Sequence, residues 1–478
     1  MKAATPHTLG SLLFLAAALS VGAQTLRYEA EDGVLSGTIV DNRIPGYSGA
    51  GYVTAFDDPD DFLEIPVNVP TEGFYTLSVG YAANAPKLNP IFVNGSMQGE
   101  GLFPRTQGFA KMRFGRVALH KGANTVRIGS DWGQIDVDYI ELEPAPPPLP
   151  FQLSDRPVTP GASPEAQQLL ATLTGLFGKK ILTGQQDEHG ERLAYIANIT
   201  GGKAPAILGL DLLNSSGSYN RPDGQIERAR DWALQRHGIV TFSWHWFSPF
   251  GATGEVWKSF STDKTTFDAS RVADETSPEY AAIVRDIDLV AGRLKVLRDA
   301  HVPVLWRPLH EAEGKWFWWG ARGPETTRRI YRLMFDRFTR VHGLNNLIWV
   351  WTTTDNPGAR EWYPGDAFVD IIGADIYSPA GTRGTFLSVF DNLRQLYGGR
   401  KMIALAETGA LPDPCELGRE GADWSWFLVW DDFISRAEVN PASVLSHTYG
   451  ESRALTLDGL VSGGESGTFR TNKVMKNP

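Results

Sequence analysis

A carboxylate and a dense group of aromatic residues lie side by side near the middle of the chain. The apolar run from Val302 to Trp306 is typical of a short buried strand, and Glu311 follows it directly after His310. A carboxyl group among apolar rings keeps its proton near neutral pH. Flat indole rings also stack on the C–H faces of sugars. Together with the aromatic cluster that begins at Trp316, Glu311 therefore indicates acid catalysis on a carbohydrate.

A second carboxylate, Glu407, also follows an apolar run, Met402–Ala406. Hydrolysis of a glycosidic bond with retention of configuration needs two carboxyl groups about 5–5.5 Å apart, one as nucleophile and one as general acid/base. Glu311 and Glu407 are the predicted pair. Three aspartates at other strand ends are expected to be hydrogen-bonding helpers: Asp211, Asp355 and Asp375.

Residues 151–478 alternate apolar runs with amphipathic patterns, which predicts an α/β fold of the (β/α)8 barrel, or TIM barrel, class. Catalytic groups of such barrels lie at the carboxyl ends of strands, where both glutamates are found. The predicted strands are Ile181–Gln185, Ala206–Leu210, Ile239–Trp244, Val302–Trp306, Leu347–Trp351, Asp370–Ala374, Met402–Ala406 and Val444–His447, the last of them ending near Tyr449. The clearest helical patterns are Gln225–His237, Tyr280–Arg298, Glu325–Val341, Phe386–Tyr397 and Trp424–Ala437.

The rest of the chain divides into three further segments. Residues 1–23 have the short apolar run and small terminal residues of a signal peptide, which predicts a secreted, extracellular protein. Residues 25–143 contain short alternating strands between Gly, Pro and Asn residues, typical of a small all-β jelly-roll or β-sandwich domain. Residues 144–150 are a proline-rich linker, and its stiffness suggests two separate bodies.

Composition and missing motifs exclude several classes of function. The formal net charge is −10 without a basic block, which argues against nucleic acid or an anionic membrane as partner. Cys415 is the only cysteine, so no intrachain disulfide forms. The sequence has no HExxH, GxSxG, P-loop or GxGxxG motif, and we expect no cofactor in catalysis and a monomeric protein.

The order of these motifs in residues 160–460 resembles glycoside hydrolase family 26, best known for β-mannanases. The similar segments are Ser243-Trp244-His245-Trp246, Arg307–Glu311, Trp316–Gly320, Tyr363–Asp366, Val369–Tyr377 and Leu405–Gly409. The resemblance implies Glu311 as acid/base and Glu407 as nucleophile. It implies substrate contacts at His245, His310, Trp316 and Tyr377, with Trp257 as a looser match, and the aromatic cluster adds Trp319. Ala312-Glu313 stands where many mannanases have Met-Asn.

The N-terminal part is similar to family 35 of the carbohydrate-binding modules. The matching segments are Tyr28–Glu31, Gly49–Val53 and Asp136–Ile140. The resemblance implies a structural calcium ion held by Glu29, Glu31 and Asp138, whose hard oxygen donors suit Ca²⁺. Trp132 is the expected stacking platform for a sugar, with Tyr52 as a second contact.

These observations predict a secreted, retaining glycoside hydrolase that cleaves β-1,4-mannosidic linkages in mannan, glucomannan or galactomannan by double displacement. Two alternatives stay open at this point. One is a β-1,3-1,4-glucanase or β-1,3-xylanase on the same scaffold. The other is a carbohydrate-binding protein without catalysis, which the presence of both Glu311 and Glu407 disfavours.

Overall fold

A computed structural model describes residues 25–130 and 134–463, which form an N-terminal β-domain and a C-terminal barrel. The predicted signal peptide (1–23) and the predicted platform Trp132 lie outside these residues, and both stay predictions. Within the described residues, no helix combines the length and the apolar character needed to cross a membrane.

The N-terminal domain consists of antiparallel strands in two sheets. One sheet has the order β3-β4-β11-β6-β9, with β1 also paired to β11, and the other has the order β2-β5-β10-β7-β8. Alternate residues of β5 are buried, as expected for a strand with one face on a core. The strands are β1 Leu26–Glu29, β2 Val34–Ser36, β3 Ile39–Asp41, β4 Tyr52–Thr54, β5 Phe62–Val69, β6 Gly73–Ala82, β7 Lys87–Val93, β8 Ser96–Phe103, β9 Ala110–Leu119, β10 Gly122–Gly129 and β11 Asp136–Pro144.

The C-terminal domain is a closed barrel of eight parallel strands, which confirms the predicted fold class. The first strand pairs with both the second and the eighth, so the sheet has no open edge. The strands are β12 Ile181–Gln186, β13 Ile207–Asp211, β14 Ile239–Ser243, β15 Val304–Arg307, β16 Leu347–Thr352, β17 Ile371–Ile376, β18 Met402–Thr408 and β19 Trp426–Val429, and a short β20, Ala454–Leu455, pairs beside β12. All six residues of β16 are buried, as in parallel sheets covered on both faces.

The predicted eighth strand is wrong. Val444–His447 lies within a helix, Ala442–Gly450, and Tyr449 is buried in that helix. The true eighth strand is β19, in a segment that was predicted to be helical. Both segments are short apolar runs, and periodicity alone does not separate a four-residue buried strand from one helical turn.

Nine helices lie among the described residues, and most of them cover the outside of the barrel. Four of them, α1, α4, α5 and α7, begin with proline, whose fixed φ suits a first helical position. The helices are α1 Pro164–Leu176, α2 Glu191–Thr200, α3 Gln225–Arg236, α4 Pro278–Asp299, α5 Pro324–Asp336, α6 Leu387–Leu396, α7 Pro414–Glu420, α8 Ala442–Gly450 and α9 Leu457–Gly463. A π-helical turn, Arg337–Val341, continues α5.

The two domains share a packed interface on α6. Arg116 of β9 forms an ion pair with Asp391 of α6, and only 8% and 4% of these side chains are exposed. The Ser388 hydroxyl donates to the Arg116 carbonyl at 2.8 Å. Gly99 lies so close to Val389 that a Cβ there would approach it to 2.6 Å. The interface between the two domains is therefore buried and closely packed, like the interior of a single domain.

The proline-rich segment leads from the N-terminal domain to the barrel and makes hydrogen bonds at both of its ends. The Ala145 N–H donates to the Phe74 carbonyl at 2.8 Å, and the Gln152 N–H donates to the Gly399 carbonyl at 2.8 Å. Together with the interface on α6, these contacts show that the two domains pack against each other on either side of this segment. The interpretation of residues 144–150 as a linker stays a prediction.

We expect Arg116→Met to destabilise the whole chain. Breaking a buried ion pair from one side costs about 3–5 kcal/mol, because the remaining charge stays buried. Thermal unfolding should therefore show a lower midpoint, whereas Arg105→Met, at an exposed position, should leave the midpoint almost unchanged. Adding Asp391→Asn to Arg116→Met should recover part of the loss. Equal midpoints for Arg116→Met and the unaltered protein would contradict this account.

Candidate active site

Glu407 is a buried carboxylate at the end of β18, with 4% of its surface exposed. Arg307, the last residue of β15, donates a hydrogen bond to Oε1, and the Tyr377 hydroxyl donates to Oε2 at 2.9 Å. Both oxygens therefore have a donor, and the carboxylate is held in one orientation at the barrel mouth.

Arg307 joins Glu407 to a further carboxylate. Its second guanidinium nitrogen donates to Asp375 at 3.0 Å, at the end of β17. Burial alone would lower the pKa of Arg307, but the Asp375 and Glu407 carboxylates raise it overall. The guanidinium is therefore a permanent positive charge between two acids. Burial raises the pKa of Asp375.

Glu311 lies opposite Glu407 across the mouth of the barrel. A carboxylate oxygen of each, together with one of Asp375, lies within 4.8 Å of the others. Burial raises the pKa of Glu311, and the neighbouring Glu407 charge raises it further. The Trp316 indole N–H donates to Glu311 Oε2 at 2.9 Å. Glu407 is thus fixed by a donor on each oxygen, whereas the surroundings of Glu311 favour its protonated form.

Two histidines extend the site on the side of β14. His245 Nδ1 lies 2.6 Å from Asp211 Oδ2, and its Nε2 lies 3.2 Å from His310 Nε2. Burial opposes protonation of His245, yet the Asp211 carboxylate raises its pKa overall. Burial and the charge on His245 lower the pKa of His310. The two pKa shifts are opposite in direction, so His245 binds a proton more readily than His310 does.

Two exposed tryptophans lie on neighbouring loops, and one of them, Trp316, contacts Glu311. Trp316 is 53% exposed and Trp257 is 57% exposed. Their loops are joined by backbone hydrogen bonds, since the Thr262 N–H donates to the Trp316 carbonyl at 2.7 Å and the Trp318 N–H donates to the Phe260 carbonyl at 3.0 Å. The two indoles are therefore presented by one connected surface.

Trp319 does not offer a ring to a substrate, contrary to expectation. It is fully buried, and its indole N–H donates to the His310 carbonyl at 2.9 Å. Trp318 is also buried, so neither of these adjacent residues reaches the cleft. The Trp319 indole instead supports the segment that carries Glu311, and the Trp318 indole N–H donates to the Trp246 carbonyl at 2.6 Å.

Trp430 is a site residue that the sequence did not indicate, because its segment has a helical pattern. It follows β19, and its ring centroid lies 5.4 Å from that of His245. It lines a cavity of about 100 Å³ between the ends of β12 and β19. The apolar run Trp426–Val429 was the signal that could have indicated a strand directly before Trp430. The other lining residues are Gln186, Asp187, Glu188, His189, Glu191, Arg192 and Asp431.

Arg307, Asp211 and Asp375 complete the hydrogen-bond network. Asp211 and Asp375 are hydrogen-bonded helpers, as the sequence suggested. Arg307 belongs to a segment that resembles family 26, Arg307–Glu311. No signal in the sequence indicated that it pairs with Glu407, 100 positions away. Asp355, the third aspartate, accepts a hydrogen bond from Asn392 at 2.9 Å and is not in this cluster.

The predicted calcium ligands of the N-terminal domain converge on residues 48–51. The Ser48 hydroxyl donates to Glu29 at 2.6 Å and the Ser48 N–H donates to Asp138 at 2.8 Å. Glu31 accepts from the Gly51 N–H at 3.2 Å through one oxygen, and its other oxygen is buried without a hydrogen-bond partner. Burial chiefly raises the pKa of Asp138, and Glu29 and Glu31 add to it. These hard donors fit a calcium ion.

The three side chains are less tightly grouped than the barrel carboxylates. In the part of the chain that the structure describes, Glu311, Asp375 and Glu407 form the one group of three potential ligands with oxygen atoms all within 4.8 Å. Tyr52, the expected sugar contact, is 1% exposed beneath the rings of Tyr47 and Phe109. It therefore packs within the domain and offers no face to a ligand.

Comparison with known proteins agrees with this architecture. Glycosyl hydrolase family 26 matches residues 158–459, and carbohydrate binding module family 35 matches residues 26–145. A mannan endo-1,4-β-mannosidase of Thermothelomyces thermophilus is 42% identical over 90% of this chain and 89% of its own.

Two solved structures share both the fold and much of the sequence. A Podospora anserina β-(1,4)-mannanase with GH26 and CBM35 domains is 39% identical with a TM-score of 0.64, over 91% of this chain and 98% of that one. A ruminal GH26 endo-β-1,4-mannanase is 31% identical with a TM-score of 0.67, over 92% and 98%. The chain therefore belongs to glycosyl hydrolase family 26, and a family 35 carbohydrate-binding module precedes its barrel.

Proposed function

We propose that this protein is a retaining endo-β-1,4-mannanase. The observation that carries the mechanism is the close approach of Glu311 and Glu407, whose nearest carboxylate oxygens lie within 4.8 Å. This separation suits the roughly 5–5.5 Å of retaining enzymes and is too short for the roughly 6.5–9.5 Å of inverting ones. The similarity to mannan endo-1,4-β-mannosidases supports the substrate class.

In the first step, the Glu407 carboxylate attacks the anomeric carbon while Glu311 gives its proton to the departing glycosidic oxygen. A covalent glycosyl ester forms and the aglycone leaves as an alcohol. Arg307 and Tyr377 hold Glu407 in the attacking orientation. The exposed ring of Trp316, beside Glu311, is placed to stack on the aglycone sugar.

In the second step, Glu311 removes a proton from water as the oxygen attacks the anomeric carbon and the bond to Glu407 breaks. The product has the original configuration and both glutamates return to their starting states. His245 lies next to this position as a donor for sugar hydroxyl groups, and the buried His310 contacts it from behind. The exposed Trp257 is expected to contact sugar units further along the cleft.

The purified protein should release reducing sugar from β-1,4-mannan and much less from barley β-glucan or β-1,3-xylan. NMR of the first products should show the β-anomer before mutarotation. Preference for either of the other two polymers would assign the scaffold to a different substrate, and an initial α-anomer would contradict double displacement. No release from any polymer would favour a binding protein.

Glu311→Ala should reduce kcat/KM for mannopentaose by about 10²–10⁴-fold, the usual contribution of a general acid. Substrates with activated leaving groups need no protonation and should keep most of their kcat/KM. Since the pKa of Glu311 is raised, its protonated form persists to higher pH, and activity of the unaltered enzyme should fall as pH rises through that pKa. Glu311→Ala should lose this basic limb. An unchanged rate on mannopentaose would reject Glu311 as the acid/base.

We also propose that the N-terminal module binds mannan and holds a structural calcium ion at Glu29, Glu31 and Asp138. The buried, unpartnered oxygen of Glu31 and the neighbouring carboxylates support this site. The ion would neutralise these acids and join the first and last strands of the domain, β1 and β11.

Calcium should raise the thermal midpoint of the full chain, because an ion that binds only the folded state stabilises it by about 2.7 kcal/mol at one hundred times its Kd. Chelation should lower the midpoint, and Asp138→Ala should abolish the difference. Asp60→Ala, at an exposed position of the same domain, is the matched control. Identical melting with and without chelator would rule out the site.

A further inference from the structure

The segment that carries Glu311 has a backbone conformation that most side chains avoid. Leu309, Glu311 and Lys315 have φ angles of 53°, 52° and 62°, in the left-handed region. Residues other than glycine persist there only where surrounding contacts hold them. The direction of the Glu311 side chain therefore depends on contacts made by its neighbours.

The core supports this segment from below. The Trp319 indole N–H donates to the His310 carbonyl at 2.9 Å. Ala312 is buried, and its carbonyl lies so close to Gly320 that a Cβ there would approach it to 2.0 Å. These contacts fix the height of the turn in the barrel. Neither of these contacts involves the end of β16.

Glu313 joins the turn to the residues that follow β16. The Thr353 hydroxyl donates to Glu313 Oε1 at 2.5 Å, and the Thr354 hydroxyl donates to Oε2. The Thr354 N–H lies 3.3 Å from both oxygens. A carboxylate, which only accepts, thus receives three donors from two consecutive residues just beyond β16. Burial raises the pKa of Glu313, and the hydrogen bonds from Thr353 and Thr354 act against that rise.

The partner of Glu313 is itself firmly placed. The Thr353 N–H donates to the Gly373 carbonyl of β17 at 3.0 Å, and the Tyr397 hydroxyl donates to Thr353 Oγ1 at 3.2 Å. Thr353 is 5% exposed. Glu313 therefore joins the strained turn to the fifth and sixth strands of the barrel, and β17 also carries Asp375.

We propose that Glu313 is a positioning residue for the acid/base: by binding Thr353 and Thr354 it holds the left-handed turn that points Glu311 at the glycosidic oxygen. The inference rests on the proposed function of Glu311. The hydrogen bonds of Glu313 go to Thr353 and Thr354, and we expect it to act through the geometry of the turn.

The test compares two substrates in steady-state kinetics of the full-length protein. With Glu313→Ala, kcat/KM for mannopentaose should fall on the order of 10- to 100-fold, the scale expected when a catalytic group is displaced by about 1 Å. With 2,4-dinitrophenyl β-mannobioside, whose leaving group needs no proton, kcat/KM should change by less than about 3-fold. Azide, which attacks without a base, should raise kcat on this second substrate. Glu313→Gln, which keeps an accepting oxygen, should restore much of the mannopentaose activity.

Two further variants keep the result interpretable. Thr354→Val removes one donor at an exposed position and should give the same substrate-dependent pattern in a milder form, even if Glu313→Ala does not fold. Glu275→Ala, an exposed glutamate distant in sequence, should behave as the unaltered protein. Equal losses on both substrates, or no loss on either, would overturn the proposal. If Glu311→Ala itself lacks the substrate-dependent pattern, the assignment of the acid/base has failed instead.

Discussion

The buried guanidinium of Arg307 is the interaction around which the barrel mouth is arranged. Glu407 and Asp375 are two acids in a low-dielectric site, and without a cation each would be costly to bury as a charge. Because the three residues belong to β15, β17 and β18, their contacts also fix the relative position of three strand ends. Tyr377 and Glu311 take their places relative to that fixed centre.

The two neighbouring glutamates have different surroundings, and the proposed mechanism depends on this difference. Glu407 has a donor on each oxygen, one of them a permanent cation, so its charge is compensated. Glu311 has one neutral donor, Trp316, and faces the charge on Glu407. In the proposed mechanism, this difference separates a group that attacks from a group that carries a proton, although both are glutamates at strand ends of one barrel.

The barrel and both glutamates could be predicted because an apolar run followed by an acid is a local signal. Contacts between residues that are far apart in the sequence could not be predicted in this way. Arg307 and Glu407 pair across 100 positions, and the Glu313 contact spans 40. The prediction of the eighth strand failed because Trp426–Val429 is only four residues long and carries no periodicity of its own. The prediction that Trp319 contacts the substrate failed because the sequence does not distinguish a tryptophan that lines a cleft from one that is buried beneath it.

The buried ion pair between Arg116 and Asp391 limits how this enzyme can be recombined. Binding modules are commonly regarded as exchangeable cassettes that are cut at the linker. A cut at residues 144–150 here would leave Asp391 and the apolar face of α6 without their cover. A replacement module must present a cation and small residues where Arg116 and Gly99 stand. Inheritance should therefore keep the two domains together, and a successful chimera would have to carry α6 with the module.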